Sequence, residues 1–162
     1  MIATALILGY VTLARLVELL VARRNTAALR AAGAVEYGAN HYPWMVLLHG
    51  AWLAGLWWFA WGRPLEPAAL AVFGALQFAR LWVFLTLGKR WTTRILIVPG
   101  ERLVRAGPYR WLRHPNYVVV VGEIASLPLS FGLPLFALLF SLLNAVMLFV
   151  RIRAEEAALQ QI

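Results

Sequence analysis

The sequence predicts an all-α integral membrane protein of about five transmembrane helices with a small cytoplasmic β-hairpin and loop region. Composition is the first observation behind this: of 162 residues, 62% are hydrophobic and 14% charged, and the mean hydropathy is +0.73. Soluble domains average roughly 45–50% apolar and about 25% charged residues. The second is the length of the apolar blocks, several of which reach the roughly 20 residues that a bilayer crossing needs. The third is the sorting of the basic residues, which gather after the first, third and fifth blocks. One membrane-embedded domain over residues 1–162 accounts for the length, without an internal repeat or low-complexity run.

The first span is read at residues 2–21, interrupted by Arg15 and Glu18, which stand three apart and are expected to pair locally. No positive residue precedes it and it runs on into Arg-containing sequence, unlike a cleaved signal peptide. Residues 25–43 read as a connection containing Glu36, His41 and Tyr42. The second span, 44–61, carries His49; the third, 67–87, carries Gln77 and Arg80. Residues 94–105 read as a hairpin, with Ile95-Leu96-Ile97-Val98, a turn at Pro99-Gly100, then Leu103-Val104. The last block is too long for one crossing, and Pro128, Gly132 and Pro134 sit near its middle, where Pro removes a donor and breaks a helix. It is read as two helices, 117–131 and 134–150. Twelve of the fifteen basic residues then fall on one side, so the positive-inside rule puts the N-terminus outside and the C-terminus in the cytoplasm. The net charge of +8 is thereby a topology signal, and no nucleic-acid partner is expected.

Several chemistries are excluded. Cys is absent, and three His with scattered Glu show no ligand spacing such as His-Glu-x-x-His, so no metal is expected. A Gly-rich dinucleotide fingerprint, a P-loop and a Gly-x-Ser-x-Gly elbow are also missing. The densest polar cluster is the run from Gly107 to Tyr117, with Tyr109, Arg110, Arg113, His114, Pro115 and Asn116 between. Gly-Pro and His-Pro hold it as a shaped loop, and Pro115 or Asn116 starts the next helix with backbone N–H groups free to face an anion. For a membrane protein taken at random, the commoner reading of such a run is an interfacial anchor of basic and aromatic residues. Arg151, Glu155 and Glu156 form a second cluster: Arg151 and Glu155 are four apart and can pair, and the two carboxylates can accept hydrogen bonds from vicinal ribose hydroxyls. Glu123 lies about two turns inside the fourth span, where a charge costs roughly 2.5–3.5 kcal/mol or more. Arg80 is its expected partner, either as a structural ion pair or in a functional cavity. Glu123→Gln is expected to cut turnover more than cofactor affinity if Glu123 is catalytic, and to abolish folding if the pair is structural.

Gly107-Pro108-Tyr109, Arg113-His114-Pro115-Asn116-Tyr117 and Arg151-x3-Glu155-Glu156-x2-Leu159 occur in order, separated by a helical hairpin. Together they resemble the isoprenylcysteine carboxyl methyltransferase family of membrane enzymes, over roughly residues 75–162. Within it the chain looks most similar to the small bacterial branch linked to type III polyketide synthases, which methylates alkylpyrone or alkylresorcinol hydroxyls. Asn40-His41-Tyr42, Arg90-Trp91-Thr92-Thr93-Arg94 and Glu123-Ile124 carry that likeness.

The resemblance implies a five-helix bundle in a bacterial cytoplasmic membrane, S-adenosylmethionine in a cytoplasmic pocket, and a lipophilic small-molecule acceptor entering from the membrane lipids. It assigns Tyr109, Arg113, His114, Pro115, Asn116, Tyr117, Glu155 and Glu156 to the cofactor, and Arg151 to the junction with the acceptor. Arg151 or Arg80 would hold an acceptor oxyanion, and Glu123 or His49 would be the general base for a phenol. Two departures, Val119 where the family commonly has Gly and an end at Ile162 without an aromatic tail, point away from a prenylcysteine acceptor. Arg113-His114-Pro115-Asn116-Tyr117 also resembles the NADPH segment of membrane sterol reductases, so a reductase stays open, as does a non-enzymatic small-molecule carrier.

Overall fold

In a bilayer every backbone polar group must be satisfied within the protein, so long apolar blocks become helices. The computed structural model describes residues 1–160, and five long helices account for most of them: α1 (Ile2–Ala31), α2 (Tyr42–Phe59), α3 (Pro67–Leu87), α4 (Pro115–Ser130) and α5 (Pro134–Leu159). Three stretches, Ile2–Ala31, Pro67–Arg90 and Pro134–Leu159, are long and apolar enough to cross a membrane by themselves. Around them the outer surface is apolar: Leu135 is 81% exposed, Trp58 79% and Phe78 78%. Such a surface suits lipid rather than water.

Two boundaries differ from the expected spans. α1 continues ten residues past residue 21, through Arg23, Arg24 and Asn25, because its apolar run ends there but nothing breaks the helix. Gly33, at φ +86°, turns the chain just beyond it, so the first connection is far shorter than 25–43. α5 likewise carries on to Leu159 and takes Arg151 and Glu155 with it.

The expected local hairpin is replaced by a long-range pairing. Strand β2 (Ile95–Ile97) pairs antiparallel with β1 (Val35–Tyr37), in the register Val35↔Ile97, Glu36↔Leu96 and Tyr37↔Ile95. The turn at Pro99-Gly100 does form, with Glu101 N–H donating to Val98 O at 3.1 Å. Its second arm is diverted, since Arg90 pairs with Glu101 and donates to Arg102 O at 2.6 Å. Glu36 ties the sheet to α1 by accepting from Arg30, and accepts as well from Arg94 beside β2.

A main core joins Leu8 and Val11 of α1, Trp52 and Leu56 of α2, Phe73 of α3 and Ile124 and Leu127 of α4. A smaller one, Ala22, Val83 and Trp91 with Tyr109 against it, lies toward the sheet. Pro128 sits inside α4 and has no N–H for the carbonyl of Ile124, four residues back. The buried Trp52 indole supplies the missing donor, at 3.3 Å. At the opposite end from the sheet Arg63 donates to Phe59 O and Gly132 O, stitching the two loops there.

Candidate active site

The two polar clusters of the C-terminal half meet where the start of α4 faces the last turns of α5. The 3₁₀ turn Gly107–Arg110 and the four irregular residues after it deliver Pro115 to the first position of α4. Pro is suited to that position because its N–H is not needed there. Gly107 permits the approach: its φ is +55°, and a Cβ would stand 2.5 Å from Thr86 Oγ1. One helical turn later, Tyr117 stacks on His114 with ring centroids 5.1 Å apart.

Tyr117 is the hub. Its hydroxyl donates to Glu155 Oε2 and accepts from Arg151 Nε at 2.9 Å. The expected pairing of Arg151 with Glu155 is therefore not direct; the phenol stands between them. A helix-surface ion pair is worth only tenths of a kcal/mol, and a short hydrogen-bonded chain through a half-buried phenol displaces it. His114 Nδ1 lies 3.6 Å from the same Oε2. Among the described residues, Glu155 Oε1 has no hydrogen-bond donor and remains able to accept one from a ligand.

Arg151, 8% exposed, fans its other nitrogens across two further elements. Nη2 donates to Thr93 O at 3.0 Å and Nη1 to the Met45 sulfur at 3.2 Å. The Thr93 side chain in turn meets the Tyr42 hydroxyl at 3.0 Å. His41 stands nearby, its pKa lowered by burial and by the Arg151 charge. Met45 and Thr93, and with them His41 and Tyr42, belong to this neighbourhood without having been singled out as site residues. Their signal was present in the Asn40-His41-Tyr42 and Thr92-Thr93-Arg94 runs, but nothing in the sequence joined those runs to Arg151.

Tyr109 packs against the smaller core, its pKa pushed up to about 12 by burial and by the Glu155 carboxylate, so it remains a protonated donor at neutral pH. Asn116 contributes a buried Oδ1 with no hydrogen-bond partner among the described residues. The start of α4 offers less backbone than expected: Tyr117 and Val118 N–H turn back to His114 O, and Pro115 has no N–H. Arg113 and Glu156 are exposed and make no side-chain hydrogen bond among the described residues, so they stand at the margin of this cluster.

His49 and Glu123 lie apart from it, deeper among the helices. They line a cavity of about 60 Å³ with Arg15, Trp52 and Arg80. Both expected ion pairs are present there, fused into one network. Glu123 accepts from Arg15 Nη2 (2.9 Å), Gln77 Nε2 (2.8 Å) and Arg80 Nη1 (2.8 Å). Arg80 also grips Glu18 with two bonds of 2.6 Å, and Arg15 meets Glu18 at 2.7 Å. Two guanidiniums and two carboxylates cancel, which makes burial of all four tolerable. His49 Nδ1 is 2.8 Å from Met45 O; a carbonyl only accepts, so Nδ1 carries the proton and Nε2 keeps its lone pair. Met45, one turn earlier on α2, links this cavity to Arg151. No cluster of metal-ligating side chains occurs among the described residues.

An uncharacterized protein of Bacillus subtilis, YpbQ, is 38% identical over 96% of this chain and 96% of its own. An uncharacterized protein of Haemophilus influenzae is 28% identical, covering 91% of this chain and 90% of its own. No solved structure matches. The isoprenylcysteine carboxyl methyltransferase (ICMT) family matches residues 68–161, a segment that contains Tyr109, His114, Tyr117, Arg151 and Glu155. The chain belongs to this family of membrane methyltransferases.

Proposed function

We propose that the protein is an S-adenosylmethionine-dependent O-methyltransferase acting from within the bilayer on a lipophilic acceptor with an alkylpyrone- or alkylresorcinol-type hydroxyl. The active site and C-terminus face the cytoplasm and the N-terminus lies outside, as the basic residues argue. The observation that carries the reading is the chain from Arg151 through Tyr117 to Glu155, set within the segment that matches a methyltransferase family.

The residues around Tyr117 fit the cofactor's chemistry. Glu155 Oε1 is a free carboxylate acceptor for a ribose hydroxyl, and Asn116 Oδ1 is an unpartnered acceptor for an amine. In this reading Tyr109, His114, Pro115 and Tyr117 would line the cofactor, with Arg113 and Glu156 at its rim. S-adenosylmethionine, when bound, supplies a methyl already activated on a sulfonium, which passes to the acceptor oxygen and leaves a neutral thioether. The protein's own task is alignment and charge. Arg151, fixed by Tyr117, Met45 and Thr93, is oriented to hold an acceptor oxyanion. An acidic hydroxypyrone gives up its proton to solvent. A phenol needs a base, and His49 with its open Nε2 suits that role better than Glu123, whose oxygens are engaged by Arg15, Gln77 and Arg80.

The test is transfer of label from methyl-tritiated S-adenosylmethionine by nanodisc-embedded protein to an alkylpyrone, 5-pentadecylresorcinol or N-acetyl-farnesylcysteine. Label in the first two, lost in Arg151→Lys, is the expected result. Label in the farnesylcysteine alone would move the acceptor to the carboxyl that the family's description names, and label in none would overturn the reading.

A further inference from the structure

A groove opens between α1 and a wall formed by Tyr42, Thr93 and Arg94. Its volume is about 570 Å³, within the roughly 300–1,000 Å³ typical of small-molecule sites. Along α1 it is lined by Leu16, Leu19, Leu20, Arg23, Ala27 and Arg30, positions whose spacing puts them on one helix face. The apolar run of α1 ends at Val21, while the helix goes on to Ala31. Arg23 is two residues beyond that run, about 3 Å further along the axis, and the headgroup layer of a bilayer is roughly 5–7 Å deep. The leucines therefore stand beside acyl chains and Arg23 at the level of the lipid phosphates.

Charge in the groove is one-sided. Arg23, Arg30 and Arg94 line it, and no carboxylate does. Glu36 pairs with Arg30 and Arg94, so one carboxylate offsets three guanidiniums. Arg23 is exposed and makes no ion pair among the described residues. Arg94 is held over the Tyr42 ring, 4.0 Å from its centroid, which presents its charge from a fixed wall. A choline or ethanolamine ammonium finds no counter-ion here, whereas the phosphate of a lipid with net negative charge does.

The occupant is not a reactant, because Tyr117, Arg151, Glu155 and His49 are all absent from the lining. Thr93 stands between the groove and that chemistry. Its hydroxyl meets the Tyr42 hydroxyl at 3.0 Å in the groove wall, and its carbonyl accepts from Arg151 Nη2 at 3.0 Å.

We propose that the groove holds one anionic glycerophospholipid of the surrounding bilayer as a resident lipid. One acyl chain lies along Leu16, Leu19 and Leu20, and the phosphate sits among Arg23, Arg30 and Arg94. Bound there, the lipid braces α1 against the Tyr42–Thr93 wall, whose other side fixes Arg151. The proposal needs no methyl transfer and stands whether or not that reading does.

Native mass spectrometry of the full-length protein in a neutral detergent tests it, counting dioleoyl phosphatidylglycerol or dioleoyl phosphatidylcholine bound as each is titrated. The first phosphatidylglycerol is expected to bind at least about fivefold more tightly than the first phosphatidylcholine. Arg23→Gln, which removes the unpaired guanidinium, and Ala27→Trp, which fills the groove, should each weaken it by about fivefold or more. Arg153→Gln removes an exposed guanidinium outside the groove and should leave it unchanged. Nanodiscs of phosphatidylglycerol should also raise the thermal midpoint above that in phosphatidylcholine for wild type but not for Arg23→Gln. Equal affinity for the two lipids, an equal loss in Arg153→Gln, or a midpoint rise shared by Arg23→Gln would overturn the proposal. So would undiminished binding to Ala27→Trp, or displacement of the lipid by glycerophosphate at the lipid's own concentration.

Discussion

Glu123→Gln exchanges a carboxylate for an amide of nearly the same shape, at a position whose side chain is 5% exposed. Three donors converge on Glu123: Arg15, Gln77 and Arg80. After the change two guanidiniums share Glu18 alone, leaving one buried positive charge without a counter-ion. Removing one partner of a buried pair costs about 3–5 kcal/mol, a large part of the roughly 5–15 kcal/mol that holds a typical protein folded. The geometry also says which second change rescues it. Arg80 grips Glu18 through two bonds of 2.6 Å, so that pair stands by itself and Arg15 is the partner left over. Glu123→Gln with Arg15→Gln should therefore be more stable than the sum of the single losses predicts, by about 1–3 kcal/mol. Steric trapping in bicelles measures these values reversibly. A loss under about 1 kcal/mol for Glu123→Gln, or strict additivity in the double variant, would refute the idea that the network is a charge-balanced clamp. A hundredfold fall in turnover with stability intact would return Glu123 to the role of base.

Other outcomes follow from single contacts. Trp52→Phe removes the donor to Ile124 O above Pro128 and should cost about 1–3 kcal/mol; adding Pro128→Ala restores an N–H and should recover most of it, and no recovery would contradict this account of the helix. Gly107→Ala forces a side chain into φ +55° and toward Thr86 Oγ1, so stability should fall by about 1–3 kcal/mol and S-adenosylhomocysteine affinity with it; an unchanged thermal midpoint would count against the close approach. Glu155→Gln should weaken S-adenosylhomocysteine by about tenfold or more, the loss of a charge-assisted hydrogen bond, without altering the fold; unchanged affinity would remove Glu155 from the site. Burial alone would raise Glu36, but Arg94 and Arg30 outweigh it and hold the carboxyl below its ordinary value of 4.5. Its contribution is then complete above that value and is lost as pH falls through the lowered one. The thermal midpoint of wild type should drop in acid toward that of Glu36→Gln, and parallel curves would show that the sheet does not depend on this carboxylate.

What the sequence reveals and what it hides divide along the range of the interactions. Helices were legible because a bilayer makes apolar length decisive, and Pro128, Gly132 and Pro134 marked the α4–α5 turn by their own backbone chemistry. The ion pairs Arg15–Glu18 and Arg80–Glu123 were legible because charges inside apolar blocks need partners. Their fusion was not, since it depends on how α1 and α3 rotate toward α4. β1 was invisible for a related reason: three residues, Val35–Tyr37, carry no periodicity, and Pro99-Gly100 promised a nearer partner that Arg90 draws away. The Arg151–Glu155 spacing suggested a surface pair, whereas Tyr117 arrives from another helix and takes both ends. α1 and α5 ran past their apolar runs because hydropathy marks where lipid stops and not where a helix stops.

The central claim is that the cluster of Tyr109, His114, Tyr117 and Glu155 binds an adenosyl cofactor of methyl transfer. Calorimetric titration of the detergent-purified protein with S-adenosylhomocysteine and, separately, with NADPH tests it most directly. The account predicts saturable S-adenosylhomocysteine binding that Glu155→Gln weakens, and no heat from NADPH. NADPH binding with silence from S-adenosylhomocysteine would contradict it and make the Arg113–Tyr117 segment a reductase site.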